Sequence, residues 1–163
     1  MVYGFKVQQK IFALRATYNI YDLAKDEKIF VARRKILAFR PEIEIKDMND
    51  QKVITIKSNF LFRNRWKIIQ NNNLIGEVKF PIIRLFGFKF ELSIAGNNYE
   101  ATNIFGYSFT AVDDMGRIGF VVDKKFFSFR DSYKVEVHPP LEPLFGLAAA
   151  IAIDSKYHEG KRR

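Results

Sequence analysis

Lys10-Ile11-Phe12-Ala13-Leu14-Arg15, Lys35-Ile36-Leu37-Ala38-Phe39-Arg40 and Lys125-Phe126-Phe127-Ser128-Phe129-Arg130 are three versions of one hexapeptide. Internal repetition of this kind makes the fold a repeat architecture, so the unit has to be found before any single residue is weighed. Reduced to its physical content, the unit is an apolar residue, then Arg or Gly, two open positions, a large apolar residue, one polar residue and another apolar one. Six copies fit, starting at Leu14-Arg15, Phe39-Arg40, Phe62-Arg63, Phe86-Gly87, Phe105-Gly106 and Phe129-Arg130. Their downstream halves are Tyr18/Ile20, Ile43/Ile45, Trp66/Ile68, Phe90/Leu92, Phe109/Ala111 and Tyr133/Val135. Alternation with period two is the mark of a strand with one buried face.

A spacing of about two dozen residues holds two strands with one turn inside the unit and one between units. Six units therefore predict about twelve strands. The inner turns carry Arg or Gly, and Gly there points to a positive φ or a close backbone approach. The outer turns have hairpin chemistry instead: Asp26 and Glu27, residues 48–51, 71–73, 96–98 and 113–116.

After the sixth unit the pattern breaks at His138-Pro139-Pro140 and Pro143, then runs Leu144-Phe145-Gly146-Leu147-Ala148-Ala149-Ala150-Ile151-Ala152-Ile153 before Asp154. Pro ends a strand and can open a helix, and the Ala run favours one. Ten such residues reach about 15 Å as a helix, half of a hydrocarbon core, so no transmembrane span is predicted. Apolar on all faces, the helix must be enclosed. A closed barrel of eight strands is filled by its own side chains and the lumen widens with strand number, so twelve strands need a plug, and an Ala-rich helix supplies it. A peripheral membrane anchor is the alternative reading of this segment.

The 163 residues predict one domain, with strands over about 3–138, a central helix over about 141–157 and a polar tail over 158–163. Seventeen Phe, seven Tyr and one Trp fall mainly at strand positions and are read as core. Absence of Cys excludes disulfides and thiolate chemistry. The start at Met1-Val2-Tyr3-Gly4 has no signal-like apolar stretch, so the expected location is the cytoplasm. A formal charge of +9 favours anionic partners such as phospholipid head groups or nucleic acid.

The three hexapeptide hairpins, their continuations Tyr18-Asn19-Ile20-Tyr21-Asp22 and Ile43-Glu44-Ile45-Lys46-Asp47, and the terminal segment ending Ala152-Ile153-Asp154 resemble the LURP-one-related family, from Phe5 to about Tyr157. That family sits with tubby C-terminal domains and phospholipid scramblases. The resemblance implies a mainly β fold, a twelve-stranded antiparallel closed barrel enclosing a C-terminal hydrophobic α-helix. Tubby-like domains bind phosphoinositides and scramblases are tied to moving phospholipid, whereas many LURP-one-related members have no settled role. The Pro-rich arm and Cys-rich segment of scramblases are missing here, and tubby's basic motif maps onto no particular residues.

Catalytic chemistry finds little footing. The two histidines, His138 beside prolines and His158 in the expected tail, lie in no triad or metal-ligand setting. Asp47, Asn49 and Asp50 lack the Gly and the distal Glu of a calcium loop. Neither a catalytic residue, a metal nor a cofactor is predicted, and the chain reads as a non-enzyme.

One constellation remains. In an up-and-down barrel every inner turn lies at one end, so Arg15, Arg40, Arg63, Arg65 and Arg130 should share a rim, with Arg84 and Lys89 near by. The other rim should collect Asp22, Asp26, Glu27, Asp47, Asp50, Asp113 and Asp114. Guanidinium forks suit phosphate oxygens. The competing reading is that each Arg caps its hairpin or pairs with a local carboxylate such as Glu42 or Asp131. A second candidate patch is Lys10, Arg33, Arg34 and Lys35, whose plain reading is an edge or exterior strand kept soluble by charge. The expected function is a non-enzymatic binding module docking peripherally on anionic phospholipid or phosphoinositide head groups through the basic barrel rim. A scaffold or regulatory partner-binding protein is the alternative, and nucleic-acid binding stands third because a stacking platform needs exposed aromatics. Lipid identity and oligomeric state are not legible.

Overall fold

The computed structural model describes residues 1–12, 15–35, 39–81, 88–103, 108–124 and 132–161, with the side chains of these apart from residues 11, 12, 15, 88, 102, 103 and 157–161. The repeat resolves into twelve strands. The first six are β1 (Tyr3–Phe12), β2 (Arg15–Asp22), β3 (Glu27–Arg34), β4 (Glu42–Asp47), β5 (Lys52–Ser58) and β6 (Arg65–Gln70). The second six are β7 (Asn73–Lys79), β8 (Phe88–Ile94), β9 (Asn97–Asn103), β10 (Ser108–Asp113), β11 (Ile118–Asp123) and β12 (Ser132–Val137). Each pairs antiparallel with its sequence neighbours, and β1 closes on β12 with Tyr3 opposite Val137 and Gln8 opposite Ser132. Closure leaves no edge strand.

All twelve residues of the downstream pairs, from Tyr18/Ile20 to Tyr133/Val135, are buried. The polar residue between each pair faces out, because side chains alternate across the barrel wall. Phe80, Phe90, Phe109 and Phe120 form a chain of edge-to-face contacts inside the wall, with ring centroids 5.1, 6.0 and 6.1 Å apart. Quadrupoles favour that geometry over stacking.

The outer turns follow two designs. Asn71 and Asn72 (φ 51° and 64°) and Ala95 and Gly96 (φ 51° and 82°) make two-residue hairpins with positive φ at both positions, the primed form whose twist matches the strands. The second of these turns lies one residue before the expected 96–98. Elsewhere an Asp closing a strand caps the turn. The Asp22 carboxylate accepts from the amides of Ala24 and Lys25, that of Asp47 from Asn49 and Gln51, and that of Asp113 from Met115 and Arg117.

Asp22 also accepts the Tyr3 hydroxyl at 2.5 Å, and this bond, helped by the two amides, outweighs burial and holds its carboxyl below the ordinary 3.8. Burial first, then Asp22, pushes the Tyr3 hydroxyl up to about 12. A depressed native pKa means that the stabilisation by Asp22 is complete above 3.8 and is lost as pH falls through the native value. Thermal melts stepped down through that window should show wild type losing more stability than Asp22→Asn, which starts lower at neutral pH. Parallel curves would remove Asp22 from the acid response.

The chain then enters α1 (Pro143–Lys161). Pro143 takes the first helical position, and the amides of Phe145 and Gly146 bond the Glu142 carbonyl. From Leu147 to Ser155 every residue is buried, so the helix fills the lumen and packs against β5, β6, β7, β11 and β12. Gly146 makes the entry possible, since a Cβ there would lie 2.7 Å from a Val137 methyl. The helix starts two residues later than the expected 141 and runs past 157, so residues 158–161 of the expected tail, His158 among them, are helical. Nothing from Tyr157 to Glu159 breaks a helix, and intrahelical bonds carry it on. Among the described residues no helix is long and apolar enough to cross a membrane.

Candidate functional site at the basic rim

Up-and-down closure puts the turns β1–β2, β3–β4, β5–β6, β7–β8, β9–β10 and β11–β12 at one end of the barrel and the Asp-rich turns at the other. Arg40 lies exposed in the β3–β4 turn, and Arg63, half-buried with φ 50°, lies in the β5–β6 turn. Arg15 and Arg65 are the first residues of β2 and β6 instead of turn residues. The units close more tightly than the hexapeptide suggested, and both residues still stand at the same end. Arg130 and Arg84, and the side chain of Arg15, lie outside the described residues.

Polar bonds brace the β5–β6 turn. Asn59 donates its amide to the Arg65 carbonyl at 2.8 Å and its side-chain NH2 to Asn64 Oδ1 at 2.9 Å, while its Oδ1 accepts from the Arg65 amide at 3.1 Å. The indole Nε1 of buried Trp66 donates to the Arg63 carbonyl at 3.2 Å, and the Phe80 amide to the Asn64 carbonyl at 2.8 Å. The Ser58 amide reaches the Pro41 carbonyl at 3.0 Å, which fastens this turn to the one carrying Arg40.

Charge pairing at the rim is uneven. Glu42, a candidate partner for Arg40, instead receives Lys35 Nζ at 2.7 Å and Lys57 Nζ at 3.9 Å. Lys35 reaches Glu44 as well, at 3.1 Å, and hydrogen bonds to Glu42 and then Glu44 raise its pKa. Arg65 is 4.0 Å from Glu77, a marginal pair. Among the described residues neither Arg40 nor Arg63 forms an ion pair. At the far end Asp26, Asp50 and Asp113 are partly offset by Lys6, Lys46 and Arg117.

The second patch is split by strand alternation, with Arg33 on the outer wall opposite Glu44 and Arg34 opposite buried Ile43. Lys10 and Arg33 are exposed and face Thr17 from either side across β1, β2 and β3, and Arg34 is half-buried. Because the barrel is closed, β3 is not an edge strand. Arg33 and Lys35 line a cleft of about 300 Å³ together with Glu44, Asp47 and Asp50, so its charge is mixed. A larger groove of about 680 Å³ crosses β7 to β9 and is lined by Glu77, Glu91, Glu100 and Asp114 against Lys79, which disfavours anions.

Two features escaped the reading of the residues. Phe39, Phe60, Leu61 and Phe62 stand exposed at the rim, although aromatics were expected in the core. They fall on turns, beyond the strands that could aim them into the lumen; the run of three apolar residues ahead of Arg63 was the available signal. Inside the barrel, Lys124 Nζ pairs with Asp154 Oδ1 at 2.6 Å. An Asp directly after an all-round apolar run implies a buried partner, and that signal was also present.

The model of the LURP-one-related family matches residues 4–154. The X-ray structure of a protein from Arabidopsis thaliana is similar in fold, with a TM-score of 0.65 at 14% identity over 96% of this chain and 92% of that one. No curated protein matches the sequence.

Proposed function

The chain belongs to the LURP-one-related family, and on that footing we propose that it is a non-enzymatic binding module that docks on anionic phospholipid head groups through the rim of Arg15, Arg40, Arg63, Arg65 and Arg130. The observation that carries the reading is the pairing at the rim: Lys35 and Lys57 occupy Glu42, leaving Arg40 and Arg63 without a described counter-ion beside each other's turns. Planar guanidinium groups so placed suit phosphate oxygens, which they can bind through two parallel bonds. The proposed location is the cytoplasm, peripherally at the membrane. A scaffold role without lipid is the second reading, and nucleic acid the third.

A basic group near an anionic surface contributes about 1 kcal/mol, so Arg15→Gln, Arg40→Gln, Arg63→Gln together should weaken binding roughly a hundredfold. The measurement is sedimentation with phosphatidylcholine vesicles with and without phosphatidylserine, across a salt series and with DNA as competitor. Raising salt from physiological strength to about 1 M shortens the Debye length from about 8 to about 3 Å and should strip most of the electrostatic contribution. Unchanged binding by the triple variant would sink the rim. Wild type that ignores anionic vesicles would favour the scaffold.

A further inference from the structure

Phe60, Leu61 and Phe62 are 64%, 79% and 64% exposed, and Phe39 on the neighbouring turn is 92% exposed. A single apolar side chain on a surface means nothing, but three in succession at a hairpin tip form an apolar projection. The tip is not free to turn inward. Asn59 and Asn64 clamp its base, Trp66 and Phe80 bond the carbonyls of Arg63 and Asn64, and the Ser58–Pro41 bond holds the adjacent turn alongside. The backbone is thus fixed by polar bonds in a position that leaves the apolar side chains outside.

We infer that residues 60–62, with Phe39, form a wedge that enters the boundary between head groups and acyl chains of an anionic bilayer while Arg40, Arg63 and Arg65 meet the phosphates around it. This rests on the proposed lipid-docking function and adds a second, apolar contribution to it. The occupant follows from the juxtaposition of the two chemistries. A bilayer offers an apolar phase under a layer of negative charge, in the order this rim presents them, and amphipathic surfaces seat to about 5–10 Å there. A second copy of the chain would bring the same cations face to face. Nucleic acid would satisfy the arginines and leave an aliphatic Leu61 in water.

The native Trp66 is the sole Trp and is fully buried, so it gives a constant background for a reporter at the tip. Leu61→Trp, mixed with phosphatidylserine-containing vesicles brominated on the acyl chains, should shift its emission to the blue and be quenched. Met48→Trp, at the opposite end and 56% exposed in wild type, should show neither change. Phe60→Ser, Leu61→Ser, Phe62→Ser together should lower vesicle affinity by on the order of tenfold to a hundredfold at low and high salt alike, whereas arginine substitutions flatten the salt dependence. Vesicle binding without quenching at position 61, or a triple serine variant that binds as wild type does, overturns the wedge and leaves head-group docking intact, with a protein partner as the next occupant to seek. Failure of wild type to bind any vesicle removes both.

Discussion

An Ala149→Asp variant is expected to lose its cooperative fold. Ala149 lies mid-way along the buried stretch of α1 with no exposed surface, between Ala148 and Ala150, and the whole run from Leu147 to Ile153 is equally enclosed. Small side chains are what let the helix fit a lumen already furnished with Trp66, Phe5, Phe90 and Phe120. A carboxylate there brings extra volume and an unpaired polar or charged group. Burying it without a partner costs several kcal/mol, of the same order as the whole stability of a domain, about 5–15 kcal/mol. Far-ultraviolet circular dichroism during a urea titration should show a broad or absent transition. A sharp transition near the wild-type midpoint would count against the buried plug. Ala149→Ser, which can return its hydroxyl to the carbonyl four residues back, should be much milder.

What was legible depended on periodicity. The apolar pairs of the repeat need only the alternation of a strand to be placed, and all twelve residues point into the barrel. The enclosed helix followed from a composition that tolerates water on no face. The turns were legible only in part. That Asp22, Asp47 and Asp113 cap their own turns is a local property, shared by three of the outer turns. Which rim cations stay unpaired is not local: Lys35 takes Glu42 because β3 and β4 bring them together, and Arg40, nearer in sequence, is left out. Two of the apolar anchors that start the repeats, Phe39 and Phe62, were also misread. Alternation predicts orientation only within a strand, and Phe39 and Phe62 lie outside one, where the turn backbone sets direction. The charged pair inside the barrel joins the end of β11 to a helix residue thirty positions later, a distance that no repeat pattern encodes.

That pair gives the second large effect expected. Lys124→Met should lower stability by about 3 kcal/mol, at the modest end of the cost of breaking a buried ion pair because the lysine is 23% exposed. Asp154 is 2% exposed and would remain in the barrel without the ammonium now 2.6 Å from it. Burial, followed by the charge of Asp154, raises the pKa of the Tyr133 hydroxyl well above its usual value, and the Lys124 ammonium also lies 5.7 Å from the centre of that ring. Removing both charges is a different matter. Replacing a buried pair with apolar residues of similar volume is often neutral or stabilising, so Lys124→Met with Asp154→Leu should recover most of the loss. The coupling read from urea midpoints of the two single variants and the double should therefore be on the order of 1–3 kcal/mol. Additive losses would mean that the lysine acts only by packing its stem. Recovery in the double variant would mean that α1 is held by its apolar fit to the barrel and not by the charge pair.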